Sequence, residues 1–320
     1  MIRELLYSIN YVLGRDIAGR MLSVMPDDIF LVSFPKSGNT WTRFLIGNLT
    51  HPEEPITFAN VSRLVPDIYG TSRKGFRRLA RPRVIKSHEC FDPRYRRVVY
   101  IVRDPRDVAV SSYHFARKGR HFEDSLPLER YVSEWFLKPG QPYGTWGEHA
   151  GSWLANEENI GRLSRVKDGF IGTIGTWGEN VTSWVGARGD GREFLLLRYE
   201  DLLDDTPREL KKAAQFLGLK TSPEMLARAV ELSSVENMRS LEDKQSDQWS
   251  TTREGRKDIK FVREAKAGQW KKNLPPSSVA EIESAWGNIM QLLGYPLASG
   301  SQAGGDLPPT PPQNAPRPGG

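Results

Sequence analysis

The chain has 320 residues, a formal net charge of +6 and a pI of about 9.3, enough for one large α/β domain or two small ones with a sizeable core. With 38% hydrophobic and 10% aromatic residues, nine of them tryptophan, it reads as globular; the mild basic excess suits a multiply anionic ligand, while no basic block interleaved with aromatics favours nucleic acid. A single cysteine, Cys90, excludes an intrachain disulfide, and no apolar run reaches the roughly 18 to 20 residues of a transmembrane helix.

Ile2, Leu5, Leu6, Ile9, Val12, Leu13, Ile17 and Met21 make an apolar stripe at helical spacing, with Arg3, Glu4, Arg15, Asp16 and Arg20 off it. This predicts an amphipathic helix over residues 1–26 that packs on the body of the domain; its mixed charge speaks against a membrane-surface helix. The segment lacks an uninterrupted apolar core and a small-residue cleavage site, so it does not read as a signal peptide, and a reducing, cytoplasmic setting is expected.

Ile29 to Val32 is an apolar run suited to a strand buried on both faces. Pro35 and Gly38 break it, and from Asn39 the period changes. Trp41, Phe44, Leu45 and Leu49 recur at the spacing of one helix face. A strand, a Gly-containing loop and a helix aim several backbone N–H groups and a helix dipole at one anion. Ser37, Asn39 and Thr40 add donors and Lys36 a full charge, so the loop reads as a phosphate cradle. It is not a Walker A loop, which places its lysine directly after the second glycine; here Lys36 precedes Gly38 by two.

Residues 50–80 are loop-rich, and the run Arg73, Lys74, Arg77, Arg78, Arg81, Arg83 reads as a solvated helix face. Arg83 to His88 is a short β-branched strand, on which Lys86 and His88 point the same way if the strand continues. Arg97 to Arg103 is a second parallel-type strand. Asp104 then caps a helix, with Pro105 at its first position and Asp107 in its first turn. Gly-Thr-Trp-Gly-Glu-His-Ala-Gly-Ser-Trp at 144–153 nearly repeats as Gly-Thr-Trp-Gly-Glu-Asn-Val-Thr-Ser-Trp at 175–184. Two units cannot stack a solenoid, so this is a local duplication with a Gly-containing insert near residues 155–174. Glu193 to Tyr199 is a third buried strand. Thr206-Pro-Arg-Glu has the form of a capping box, opening a helix that runs to Leu217 and stops at Gly218. A further helix spans 223–232, and the Gly/Pro-rich tail over 298–320 is expected to be disordered.

Several of these segments together resemble one family. Phe34-Pro-Lys-Ser-Gly-Asn-Thr-Trp41 resembles the 5′-phosphosulfate loop of sulfotransferases that use 3′-phosphoadenosine 5′-phosphosulfate (PAPS), whose cytosolic members usually carry Thr where Asn39 stands. Pro82-Arg-Val-Ile-Lys-Ser-His88 resembles their catalytic-histidine segment; His88 falls on that histidine and Lys86 on a lysine that faces the sulfuryl group. Tyr100 to Ser111 resembles the 3′-phosphate segment, with Arg103 and Ser111 on the phosphate-binding positions. A single Tyr-Gly-x-Trp-x-x-His-x-x-x-Trp segment of the family appears here twice: the first copy keeps Tyr143 and His149, and the second has Asn180 in place of the histidine but the usual distance to the next strand. Tyr199 matches a nucleotide-binding tyrosine, and Ser233 to Met238 lies where relatives contact adenine. In the C-terminal segment Arg263 is kept from an Arg-Lys-Gly triplet that binds the 3′-phosphate, whereas Glu264 and Ala265 replace the other two; Gly268, Trp270 and Lys271 match.

The resemblance implies one α/β domain over residues 27–297, a central parallel β-sheet flanked by helices with a P-loop-like nucleotide site. It implies transfer of a sulfuryl group from PAPS to the hydroxyl or amine of a small-molecule or carbohydrate acceptor. His88 would be the general base, Lys36 would stabilise the leaving phosphate and Lys86 the sulfuryl oxygens. Ser37, Gly38, Asn39 and Thr40 would hold the 5′-phosphate, Trp41 the adenine, Arg103, Ser111 and Arg263 the 3′-phosphate, and Tyr199 the nucleotide. The insert would cover the acceptor pocket. No metal-ligand cluster is visible, and none is expected. The family's dimerisation motif is interrupted by Pro275 and Pro276, which leaves homo-oligomerisation open. Two other readings stay on the table: a P-loop-type small-molecule kinase, and a non-catalytic nucleotide-binding protein.

Overall fold

The computed structural model describes residues 22–138, 174–189 and 191–298, with residues 5, 8–10, 12–15 and 18 of the N-terminal segment. The first repeat copy with Tyr143 and His149, most of the 155–174 insert, Ile2, Leu6, Ile17 and Met21 of the N-terminal stripe and the tail beyond residue 298 lie outside the described residues. The other four residues of the stripe, Leu5, Ile9, Val12 and Leu13, are exposed, so they do not make the packing on the body of the domain that their spacing predicts.

Four strands, β1 (Ile29–Ser33), β2 (Val84–Ser87), β3 (Arg97–Val102) and β4 (Phe194–Arg198), pair in parallel in the order β2-β1-β3-β4. Around them lie α1 (Asn39–Thr50), α2 (Pro105–Lys118), α3 (Trp177–Arg188), α4 (Tyr199–Asp204), α5 (Thr206–Leu217), α6 (Pro223–Leu232), α7 (Val235–Gln245) and α8 (Pro276–Leu292). The period-two alternation of the strands sorts their side chains into two cores. Ile29, Leu31, Val99 and Ile101 meet Leu45, Ile46 and Leu49 of α1, with Leu210, Ala213 and Leu217 of α5 and Leu226 of α6. Phe30, Val32, Val98, Tyr100 and Val102 meet Val108 of α2, Trp177, Val181 and Trp184 of α3, and Ile282 and Met290 of α8. Apolar residues on both faces of β1 and β3 are what a sheet covered by helices on both sides requires. This is a single α/β domain with a parallel sheet.

Three local expectations change. The run from Glu193 is an edge strand, half-buried, in which Leu197 alone is fully buried and Leu196 is 37% exposed; its last-in-order position leaves one side without a strand neighbour among the described residues. Helix α5 is capped one residue earlier than the Thr206 pattern suggests, because the Asp205 carboxylate accepts from Arg208 N–H while Thr206 Oγ1 turns back to Leu202 O. Arg83 is no part of a solvated face. It is buried against the equally buried Asp28 in a two-pronged pair of 2.7 and 2.5 Å, and also donates to Phe76 O and Ser23 O. A guanidinium is buried when a planar acceptor matches its fork, and Asp28 supplies that match from the residue before β1.

The register of the sheet positions the site. Val32 stands beside Ser87, Ser33 beside Ile101, and Val102 beside Arg198. The chain therefore leaves all four strands at one edge, carrying Lys36, His88, Arg103 and Tyr199 into a common crevice. β1 has its successors on opposite sides, the arrangement that opens a ligand cleft outside the carboxyl ends of strands.

Candidate functional site

The loop after β1 is shaped by its backbone. Lys36 and Gly38 both have positive φ, 66° and 100°, and the second is the conformation that only glycine adopts without strain. A Cβ on Gly38 would also stand 2.5 Å from the Tyr199 ring. Helix α1 starts at once, so its first N–H groups face the crevice. Ser37 Oγ and Arg103 Nε are buried donors with no hydrogen-bond partner among the described residues, which fits an anion in this crevice. The Asn39 side chain differs from expectation. Its amide donates inward to Leu31 O and Ser33 Oγ, at 3.3 and 3.2 Å, so what it can offer an anion is its main-chain N–H.

Of the residues given a catalytic or PAPS-binding role from the 34–41, 82–88, 100–111, 199 and 263 matches, all but Ser37, which is fully buried within its loop, line one cavity: Lys36, Gly38, Asn39, Thr40, Trp41, Lys86, His88, Arg103, Ser111, Tyr199 and Arg263. Trp41 donates its indole N–H to Ser233 O at 3.0 Å and meets Tyr199 edge to face, 5.8 Å between centroids. Val235 and Met238 of α7 line the same wall. Cys90 does not; its thiol donates to Ile174 O.

Three cations converge under low solvent exposure. The Lys36 ammonium lies between the rings of Phe115 and Phe261, 4.2 and 4.4 Å from their centroids. Burial of the ammonium, and then the Arg103 and Arg263 guanidiniums, lower the Lys36 pKa to about 7. Burial lowers Lys86 to about 8, against the pull of the Asp67 carboxylate. Arg103 donates to Lys36 O and Lys266 O, at 3.3 and 3.2 Å, and its guanidinium lies 4.3 Å from the centre of the Tyr199 ring. A site that holds cations this close is stabilised by an anion among them.

His88 sits one residue past the end of β2, so the condition that would align it with Lys86 through a continuing strand is not met; both nevertheless line the cavity. Its Nδ1 lies 2.7 Å from Ser33 O. A carbonyl only accepts, so Nδ1 carries the proton and the neutral ring keeps its lone pair on Nε2. Burial, and then the Lys86 charge, hold the imidazole well below its ordinary value of 6.5. The ring is thus neutral at pH 7, as a proton acceptor must be.

The far wall is a strap over residues 254–269 without helix or strand, which carries Arg263; how it is held in place is not visible in the sequence. Buried Glu242 accepts from Phe261 N–H and Val262 N–H at 2.6 and 2.8 Å. Lys118 donates to Arg256 O and Ile259 O and lies 3.9 Å from Glu242. Asp107 accepts from Gly268 N–H and Trp270 N–H at 2.7 and 2.9 Å. Between these clasps Arg263, Glu264, Ala265 and Lys266 face the cavity. Among the described residues no group of His, Cys, Asp or Glu could hold a metal ion, and no helix is long and apolar enough to cross a membrane.

The family model described as "Sulfotransferase domain" matches residues 26–167 and 156–294. Among curated proteins, "Sulfotransferase 2A6" of Rattus norvegicus is 29% identical over 287 residues, 85% of this chain and 87% of that protein. The "3-beta-hydroxysteroid sulfotransferase" of Cavia porcellus is 26% identical over 297 residues, 88% and 89% of the two chains. Among solved structures, mouse sulfotransferase SULT7A1 complexed with PAP aligns with a TM-score of 0.60 at 21% identity, covering 86% of this chain and 87% of that one. Retinol dehydratase in complex with androsterone and inactive cofactor PAP aligns with a TM-score of 0.62 at 20% identity, covering 86% and 83%. These two likenesses concern the fold.

Proposed function

The chain belongs to the PAPS-dependent sulfotransferase family, and on that footing we propose that it moves a sulfuryl group from PAPS to the hydroxyl or amine of a small-molecule acceptor. The observation that carries the reading is the meeting of Lys36, Lys86, His88 and Arg103 in one cavity at the carboxyl edge of the sheet. PAPS would supply the sulfuryl group. The loop N–H groups with Ser37 and Thr40 would bind the 5′-phosphate, and Arg103, Ser111 and Arg263 the 3′-phosphate. Trp41 and Tyr199 would bound the adenine side.

His88 Nε2 is the atom that takes the acceptor proton, because Nδ1 is committed to Ser33 O. Lys36 and Lys86 stabilise charge around the transferred group. Such a transfer, like that of a phosphoryl group, needs positioning and electrostatics more than covalent work by the protein. A cytoplasmic location fits the single cysteine and the cytosolic-type motifs. The acceptor is a small molecule, as the steroid and retinol names among the relatives and neighbours suggest by analogy.

Two measurements test this. Calorimetric titration with PAP should show tight binding, while ATP, which lacks the 3′-phosphate, binds at least about tenfold more weakly. A panel of alcohols, phenols and amines with PAPS should yield a sulfated product, and His88→Ala should abolish its formation. Tighter binding of ATP than PAP would turn the reading toward a kinase. PAP binding without turnover of any acceptor would leave a nucleotide-binding protein.

A further inference from the structure

The parallel ladder between β1 and β2 ends at the pair Val32 and Ser87, so the main chain of His88 has left the sheet. Three other segments hold it. Its N–H donates to Tyr69 OH at 2.9 Å, its carbonyl accepts from Asn180 Nδ2 at 2.9 Å, and its ring is fixed through Ser33 O. The Tyr69 ring lies nearly parallel to the imidazole, 17° between planes and 6.3 Å between centroids, and the Lys86 ammonium is 5.7 Å from the centre of the same ring. Tyr69 thus touches both residues proposed to act on the acceptor side.

Asn180 is fully buried and hydrogen-bonds at each polar atom. Its two N–H groups go to His88 O and Ile174 O, at 2.9 and 2.8 Å, and its Oδ1 accepts from Tyr100 OH at 2.7 Å. Two carbonyls and a hydroxyl demand two donors and one acceptor on one side chain. A primary amide supplies that set, whereas a neutral imidazole supplies only one donor. The Asn at this place in the second repeat copy, where the first copy has His149, therefore matches its surroundings atom for atom.

We infer that Tyr69 and Asn180 are positioning residues for His88, holding its main chain where the sheet no longer does and so fixing the direction of Nε2. The inference rests on the reading of His88 as the base. A misplacement of about 1 Å at a reacting group costs on the order of a hundredfold in rate, so a main-chain restraint this close to the ring is a restraint on the reaction.

The test compares Tyr69→Phe, Tyr69→Leu and Asn180→Asp with His88→Ala, in the full chain with PAPS and the acceptor found active. Tyr69→Phe removes one oxygen and should lower kcat about tenfold, the worth of one hydrogen bond, with KM for PAPS changed less than about twofold and Tm nearly kept. Tyr69→Leu opens the wall beside the imidazole, which is held below its ordinary value first by burial and then by the charges of Lys86, Arg43 and Lys36. The acid limb of its kcat/KM profile should move up toward 6.5. Asn180→Asp should lower kcat further; if it does not fold, Tyr69→Phe carries the comparison. Wild-type kcat and an unmoved acid limb in both Tyr69 variants, with His88→Ala inactive, would overturn the inference alone. An active His88→Ala would overturn the base reading and this inference together.

Discussion

The loop over residues 34–41 and the strap over residues 254–269 close on the same cavity from two sides, and they are held by opposite means. The loop is shaped by its own backbone: left-handed φ at Lys36 and Gly38, a helix beginning at Asn39, and the Asn39 amide tied to the strand just before it. The strap has no secondary structure and is held from outside, by Glu242, Lys118 and Asp107 reaching its backbone. Local geometry makes the first rigid at the cost of tolerating little change. Side-chain clasps make the second removable one clasp at a time.

The largest effect should follow from a change in the loop. Gly38→Ala combines φ of 100° with a Cβ 2.5 Å from the Tyr199 ring. Left-handed strain alone is worth roughly 1–2 kcal/mol, and the contact forces the loop or Tyr199 to move. PAP affinity measured by calorimetry should fall by about a hundredfold or more. A Gly38→Ala protein that binds PAP normally would show that the backbone does not control the loop.

The strap should yield less, and in steps. Glu242→Ala leaves Lys118 buried beside two orphaned N–H groups and should cost about 3 kcal/mol in denaturant unfolding. Asp107→Ala frees the other end of the strap. It should weaken PAP about tenfold, since Arg103 also loses the carboxylate 3.7 Å away. If Asp107→Ala hurts binding as much as Gly38→Ala, the strap is not the softer of the two walls.

This contrast also explains what could be read from the sequence. Pro35, Gly38 and the apolar stripe of α1 are neighbours in the chain, and so are the ends of β1, β2 and β3 and the residues just beyond them; each carried its signal locally. The clasps join partners far apart: Asp107 reaches a residue 161 positions on, and Tyr69 meets His88 across 19. No periodicity records such pairs, which is why Tyr69 carries no signal in a loop-rich stretch and Arg83 reads as solvated although Asp28 stands 55 residues earlier. The apolar run of β4 could not tell an edge strand from a central one, because both read alike until the neighbours are known.

A pH experiment sharpens the comparison inside the cavity, because Lys36 belongs to the loop and Arg263, which helps lower it to about 7, belongs to the strap. An anion favours the charged ammonium, so binding takes up a proton wherever free Lys36 is neutral. PAP affinity should fall as pH rises above 7, by about fivefold between pH 7 and 8, and Lys36→Met should flatten that slope. For the free protein the sign is reversed. The unfolded chain binds more protons at this lysine between pH 7 and 10.5 than the folded one, so the Lys36 contribution to stability increases across that window.

The smallest effect should be a gain. Ala265 holds φ of 50° in the middle of the strap, at the position where the resembling triplet has glycine. A left-handed alanine is strained by roughly 1–2 kcal/mol, while glycine loses about 0.4–1 kcal/mol more in the unfolded chain. The balance favours Ala265→Gly by about 0.5–1 kcal/mol, seen as a Tm rise of about 1–2 °C for a chain of this size. PAP affinity should stay within about twofold, because the clasps at Glu242 and Asp107 fix the strap on either side of the change. A fall in Tm would mean that the strap does not keep the left-handed turn in solution, and that its clasps hold a looser segment than the loop opposite.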